Sequence, residues 1–176
     1  MIYYLLILIG FLTRFIPHPA NFTAIAGIAL FSGYYFKNKK IAIFIPLMIM
    51  FLTDWIIGFY DWQLLSAVYL AFALVVGLGV MIKNKKWFWS LPISLIGTIT
   101  FFLITNGAVW IFTAWYPHNF TGLIECYLAG IPFLKNSFMG DITYTFIFFS
   151  ITELAIWYAN KQQIQNKQKI FWGGKI

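Results

Sequence analysis

The sequence predicts an all-α, polytopic membrane bundle of about six transmembrane helices, with a short non-spanning helix at its outer face. Three observations carry that fold class. Of 176 residues, 61% are hydrophobic and 10% charged, against roughly 45–50% and 25% in soluble domains. The apolar residues gather into six runs, and the lysines fall in short clusters between them. No glycine-rich phosphate loop with its lysine is present, so nucleotide-driven chemistry within this chain is not expected. The net charge of +7 has the pattern that orients a membrane protein, which argues against nucleic acid as partner.

The runs are Ile2–Ile16, Phe22–Phe36, Ile41–Tyr60, Trp62–Ile82, Trp87–Trp115 and Phe138–Tyr158. The start, Met1-Ile-Tyr-Tyr, lacks a basic region and a small-residue cleavage site, so a retained first helix is expected rather than a signal peptide. The first two runs are short and could pair as one hairpin. At ~1.5 Å per residue the third, fourth and sixth match a ~30 Å hydrocarbon core. The fifth is longer than needed and should tilt or extend beyond the membrane.

Between the fifth and sixth runs, Gly122–Leu134 is apolar but too short to cross a bilayer, which takes ~20 residues. Pro117 and Pro132 bracket it. The expectation is that Pro117–Asn136 forms a mobile lid, or else a fixed plug, over an outward cavity between the first, third, fifth and sixth helices. It would seat on the bundle through Leu123, Ile124, Tyr127, Leu128 and Ile131, whose spacing is three or four. Residues 1–158 then form one transmembrane bundle, and 159–176 a basic cytoplasmic tail lying against anionic lipid. Ten of the twelve basic residues share one side in this arrangement, with Arg14 and Lys135 opposite. Both termini are therefore expected in the cytoplasm of a bacterial inner membrane.

Seven residues are candidate ligand contacts. Asp54 lies within an apolar run, where a carboxylate costs ~2.5–3.5 kcal/mol and needs a partner or a water-filled cavity. A structural ion pair with Arg14 and direct ligand or proton binding are both open. Arg14 suits a carboxylate or phosphate, and equally a snorkelling role at the headgroups. His18 and His118 sit in similar turns, Pro17-His18-Pro19-Ala20-Asn21-Phe22-Thr23 and Pro117-His118-Asn119-Phe120-Thr121. Their separation, without an H-E-x-x-H arrangement, argues against a metal site. Asn106, beside Gly107, forms a polar notch in the fifth helix, with Trp110 a turn further on. Asp141 stands at the outer start of the sixth helix. Asp61 is expected to cap its helix, Glu125 to be solvated, Cys126 to be packed, and Glu153 to pair with a basic residue.

RFIPHPANFTAIAGIALFSGYYF, PLMIMFLTDWIIGFYDW and the 105–141 stretch together resemble an uncharacterised family of small bacterial integral membrane proteins. That family is distantly similar to the substrate-binding S components of energy-coupling-factor vitamin transporters. The resemblance implies uptake of a vitamin-like small molecule, held beneath outer loops formed by 17–23 and 117–136. It also implies a transmembrane scaffold with ATPases as partner. S components often dock that scaffold through an alanine-spaced motif on the first helix, and Ile2–Ile16 contains no alanine. The nearest small-residue stripe is Ala24, Gly27 and, more loosely, Ala20. Coupled and solitary uptake thus both stay open.

The sequence reading is a non-enzymatic binding and uptake protein without cofactor. The alternative is a non-transporting membrane assembly or envelope-interaction protein; an intramembrane enzyme using the histidines and carboxylates ranks third.

Overall fold

The computed structural model describes residues 2–173, with side chains over 2–165. Among the described residues it is all-helical: α1 (Ile2–Leu12), a 3-10 turn (Thr13–Phe15), α2 (Ile25–Tyr35), α3 (Lys39–Ile57), α4 (Trp62–Met81), a second 3-10 turn (Trp87–Trp89), α5 (Ser90–Phe112) and α6 (Phe120–Gly173). Four helical stretches are long and apolar enough to cross a membrane, namely α3, α4, α5 with its preceding turn, and the part of α6 up to Gln165. Helices α1 and α2 are shorter and apolar.

The bundle is built around α2. Nine of its eleven residues, Ile25 to Gly33, are buried, as expected of a helix that is apolar all round. It packs against α3, α4, α5 and α6. Helix α1 lies antiparallel to it: Tyr3 stacks on Tyr35 at 5.1 Å, and a side chain at Gly10 would run into Ile28 and Phe148. The first two runs thus pair as a hairpin, the alternative that the sequence left open.

The α2–α4 crossing depends on glycine. A Cβ on Gly33 would collide with the Val76 carbonyl, and one on Gly79 with the Leu30 carbonyl. Without an aqueous hydrophobic effect between them, membrane helices associate through such close approach of small residues. Large apolar side chains point outward instead, among them Leu8 and Leu12 on α1, Phe44 and Phe51 on α3, and Leu103 on α5. That inside-out distribution suits lipid as the surrounding solvent.

The connections gather at two ends. At one, Lys83 Nζ donates to the Phe36 carbonyl at 2.6 Å and the Tyr34 hydroxyl to the Lys85 carbonyl at 2.7 Å. This lysine end joins the α2–α3 and α4–α5 connections. At the other, the proline end, Asn136 Nδ2 donates to the Ala20 carbonyl at 3.0 Å. Asn21, at φ 64, turns the chain there, a conformation asparagine tolerates better than most residues. Gly58, at φ 123, closes α3, its N–H donating to the Asp54 carbonyl.

The structure overturns the expected lid. Helix α6 begins at Phe120 and runs 54 residues with Pro132 inside it, so Gly122–Leu134 is the first part of a long helix rather than a separate short one. Antiparallel to α5, it sets the Tyr127 hydroxyl on the Leu103 carbonyl and Cys126 Sγ on the Asn106 carbonyl. The face turned to the bundle is Gly122, Cys126 and Gly130, all buried. Ile124, Leu128 and Ile131, expected to seat a lid, are exposed. Proline removes one helical hydrogen bond, which neighbouring helices can tolerate in a membrane bundle.

Smaller expectations were also revised. Glu153 has no basic partner among the described residues; it accepts from the Tyr35 hydroxyl at 2.7 Å. Asp61 stands at the N-cap of α4 without a side-chain capping bond. Ala24 and Gly27 are buried, Gly27 against Tyr144 and Thr145 of α6. Helix α6 passes residue 158 unbroken. The expected lipid contact of Lys167, Lys169 and Lys175 falls on side chains outside the described residues.

Candidate functional site

A cavity of about 310 Å³ lies among α2–α6 and the connections at the proline end. Its polar lining comes from Arg14, Asn21, Thr23, Tyr60, Ser137 and Asp141. Its apolar walls include Ile25, Met50, Val68, Phe72 and Phe101. Phe72 and Phe101 are paired with ring centroids 4.9 Å apart. A small volume with apolar walls and a few placed polar groups is the ordinary form of a small-molecule site.

Arg14 reaches the cavity because α1 ends in a 3-10 turn that carries it toward α3. Its Nη2 lies 3.2 Å from Asp54 Oδ1, the one ion pair among the described residues. Nη1 donates to Thr53 Oγ1 at 2.6 Å and also contacts Met50 Sδ. The Thr53 hydroxyl is free to accept because its own proton goes to the helix backbone, with the Ile49 carbonyl at 2.8 Å. Asp54 Oδ2 accepts from the Tyr69 hydroxyl at 3.1 Å. Asp54 is 2% exposed, so pairing offsets the desolvation that a lone carboxylate would suffer. Tyr60, in the α3–α4 connection, has its phenol pushed up to about 12, first by burial and then by the Asp54 charge. It therefore offers a neutral hydroxyl at physiological pH.

Asp141 enters from the opposite wall. It is 5% exposed, and Thr98 Oγ1 lies 2.6 Å from its Oδ2. Thr98 ends a buried hydroxyl row on α5, Ser90, Ser94 and Thr98, spaced by four, and is the member that meets Asp141 of α6. Gly140 lets the Phe22–Thr23 backbone lie against α6; a Cβ there would stand 3.2 Å from it.

Of the seven residues singled out in the sequence, Arg14 and Asp141 line this cavity, and Asp54 stands directly behind Arg14. The other four do not line it. His18 sits in its own connection with Nδ1 2.9 Å from the Pro19 carbonyl. Asn106 donates to the Phe102 carbonyl within α5, and its side chain lies where a Cβ on Gly130 would be. Trp110 Nε1 donates to the Pro117 carbonyl, and His118 Nε2 lies 3.1 Å from the Thr113 carbonyl, so both brace the α5–α6 turn. No three of His, Cys, Asp and Glu converge on a common point among the described residues.

Sequence reasoning missed Tyr60, Tyr69, Phe72, Thr98, Phe101 and Ser137. Two carried a signal. Tyr69 puts a hydroxyl within an apolar run on the helix after Asp54, and Thr98 completes a period-four row of hydroxyls. Phe72 and Phe101 carried none, because phenylalanine occurs on every helix of this chain and an apolar residue in an apolar run does not stand out.

No curated protein and no solved structure matches the chain. Its sequence matches the family of unknown function DUF6580 over residues 1–165, and the chain belongs to that family.

Proposed function

We propose that this protein binds a small, vitamin-like molecule in the cavity at its proline end and serves its uptake, in the manner of an S component. The observation that carries the reading is the cavity itself: about 310 Å³, with Arg14, Tyr60 and Asp141 set among apolar and aromatic walls. Such sites bury most of a small ligand's surface and fix its orientation with few polar groups. The sequence resemblance to S components supports the same reading. A transmembrane scaffold with ATPases, if it couples transport, must use a face other than the Ala24–Gly27 stripe, which is buried within the bundle.

Native mass spectrometry of protein purified in mild detergent tests the binding step. A bound small molecule, released on unfolding, is the expected result. Protein that flies empty, and whose melting temperature is unchanged by a small-molecule extract of the host cells, would instead favour an assembly role.

The proposed orientation in a bacterial inner membrane puts the lysine end, and both termini, in the cytoplasm. Lys37, Lys39, Lys40, Lys83, Lys85 and Lys86 lie in or beside its two connections, and cytoplasmic loops carry such an excess. In a Cys126→Ala background, cysteines at Asn38 and Asn84 should resist an impermeant maleimide on intact cells, while one at Asn119 reacts. Labelling of Asn38 or Asn84 would reverse the orientation.

A further inference from the structure

Resting on the binding reading above, we propose that the occupant is a small organic cation whose charge sits against Asp141 and whose apolar body lies on Phe72 and Phe101. The argument begins with charge balance. The charged side chains that line the cavity are Arg14 and Asp141. Arg14 is already matched by Asp54 at 3.2 Å. Asp141 is not matched: the one ion pair among the described residues is Arg14–Asp54. Thr98 is the side chain that hydrogen-bonds to Asp141 among those residues, and a neutral hydroxyl cannot balance a full charge. With Asp141 ionised, the site as a whole lacks one positive charge, which a proton on the carboxyl or a cationic occupant supplies.

The position of Asp141 makes that deficit matter. The residue is 5% exposed yet borders open space inside the bundle. An isolated ionised carboxylate removed from water is strongly disfavoured until it takes up a proton or meets a counter-charge, and an organic cation competes with that proton for the same position. An anionic occupant would add to the deficit, and a zwitterion would leave it unchanged. A monocation closes it.

The walls narrow the class further. Phe72 and Phe101 form an aromatic pair bordering the same space, with Tyr60 as a third ring. Aromatic faces attract ammonium and alkylammonium groups through the ring quadrupole, more strongly where water is excluded. A cavity of about 310 Å³ is far larger than a bare metal ion, and a single carboxylate is a poor donor set for one. The geometry thus favours an amine or quaternary ammonium carrying a compact apolar group.

The test uses four probes of one shape: phenethylammonium, 2-phenylethanol, 3-phenylpropanoate and L-phenylalanine, with sodium chloride as the inorganic control. Binding to the full chain in mild detergent is read by calorimetry and by melting temperature. Phenethylammonium should bind at least about tenfold more tightly than the alcohol, as a charge-assisted contact in a desolvated site allows. That preference should vanish in Asp141→Asn and persist in Glu125→Gln, a change at an exposed position. A melting curve for each variant shows that it is folded.

Equal binding of the alcohol, the propanoate or phenylalanine overturns the proposal, as does stabilisation by sodium alone or a cation preference that survives Asp141→Asn. If no probe binds, the molecule co-purifying with the protein decides. A net positive charge upholds the inference, while a neutral or anionic molecule removes it and leaves the binding reading standing. Empty protein that ignores every probe removes both.

Discussion

Gly79→Val should prevent this protein from folding, whereas Gly77→Ala, two residues away on the same helix, should leave it at least as stable. Gly79 and Gly33 face each other where α4 crosses α2: a Cβ on either would stand 3.1 Å from the other's Cα and would overlap a main-chain carbonyl. Backbone cannot rotate aside as a flexible side chain can, so the helices must separate. Overpacking a tight interior costs about 1–3 kcal/mol even where side chains adjust. At a backbone–backbone contact on the central helix, Gly79→Ala should reach the upper part of that range, and Val should exceed it. Gly77 has nothing within 4 Å of its would-be Cβ, so alanine there gains up to about 1 kcal/mol of helix propensity. Monodispersity by size exclusion and melting temperature in detergent read both outcomes. Equal melting temperatures for Gly79→Val and wild type would rule out the close crossing.

The second large effect is expected at the Arg14–Asp54 pair. Removing one partner of a buried pair leaves the other desolvated and uncompensated, typically at 3–5 kcal/mol. Asp54 has 3% of its side chain exposed and Arg14 16%, so about 3 kcal/mol is expected for Asp54→Ala. That change also leaves the Tyr69 hydroxyl without its acceptor. Arg14→Met should cost a similar amount. The double variant Arg14→Met/Asp54→Ala should recover most of the loss, because neither charge is then stranded. Unfolding all four proteins by denaturant completes the cycle. Additive losses would mean that the pair contributes no coupling.

Much of this architecture was legible in the sequence because long apolar runs mark helices in coarse letters. Six apolar stretches and lysine clusters between them led to six helices with the lysine connections at a shared end. Asp54 and Arg14 stood out as charges in hydrocarbon, and their pairing follows from the cost of leaving either alone. What failed was the reading of 117–137, for three separable reasons. Pro132 was treated as a breaker, although a bundle can tolerate the lost bond. Lys135-Asn136-Ser137 interrupted the apolar residues and so divided the expected lid from the sixth run, although they lie within α6: Lys135 is exposed, Asn136 holds the Ala20 carbonyl, and Ser137 lines the cavity. The apolar stripe from Leu123 to Ile131 was assigned to the bundle by the rule for water-soluble helices. Along this stretch the small Gly122, Cys126 and Gly130 pack while Ile124, Leu128 and Ile131 face out, so three of the five residues were assigned to the wrong side.

The site was harder to read than the fold. Sequence marks polar residues within apolar runs, and that marked Arg14, Asp54 and Asp141. It does not say which helix faces meet, so Asn106 and the two histidines looked equally eligible. Their bonds to nearby carbonyls show that a polar side chain can be spent on its own helix end or turn.

The unbroken course of α6 gives the protein a lever. Asp141 at the cavity and Gln165, well beyond the lysine end, belong to one helix. At the standard rise the two are about 36 Å apart along it. A rigid rod of that length turns a tilt of about 5° at the cavity into a displacement of about 3 Å at the far end. No hinge, lid or relay of side chains is required. An occupant beside Asp141 that tilted α6 about that point would move its far end in proportion.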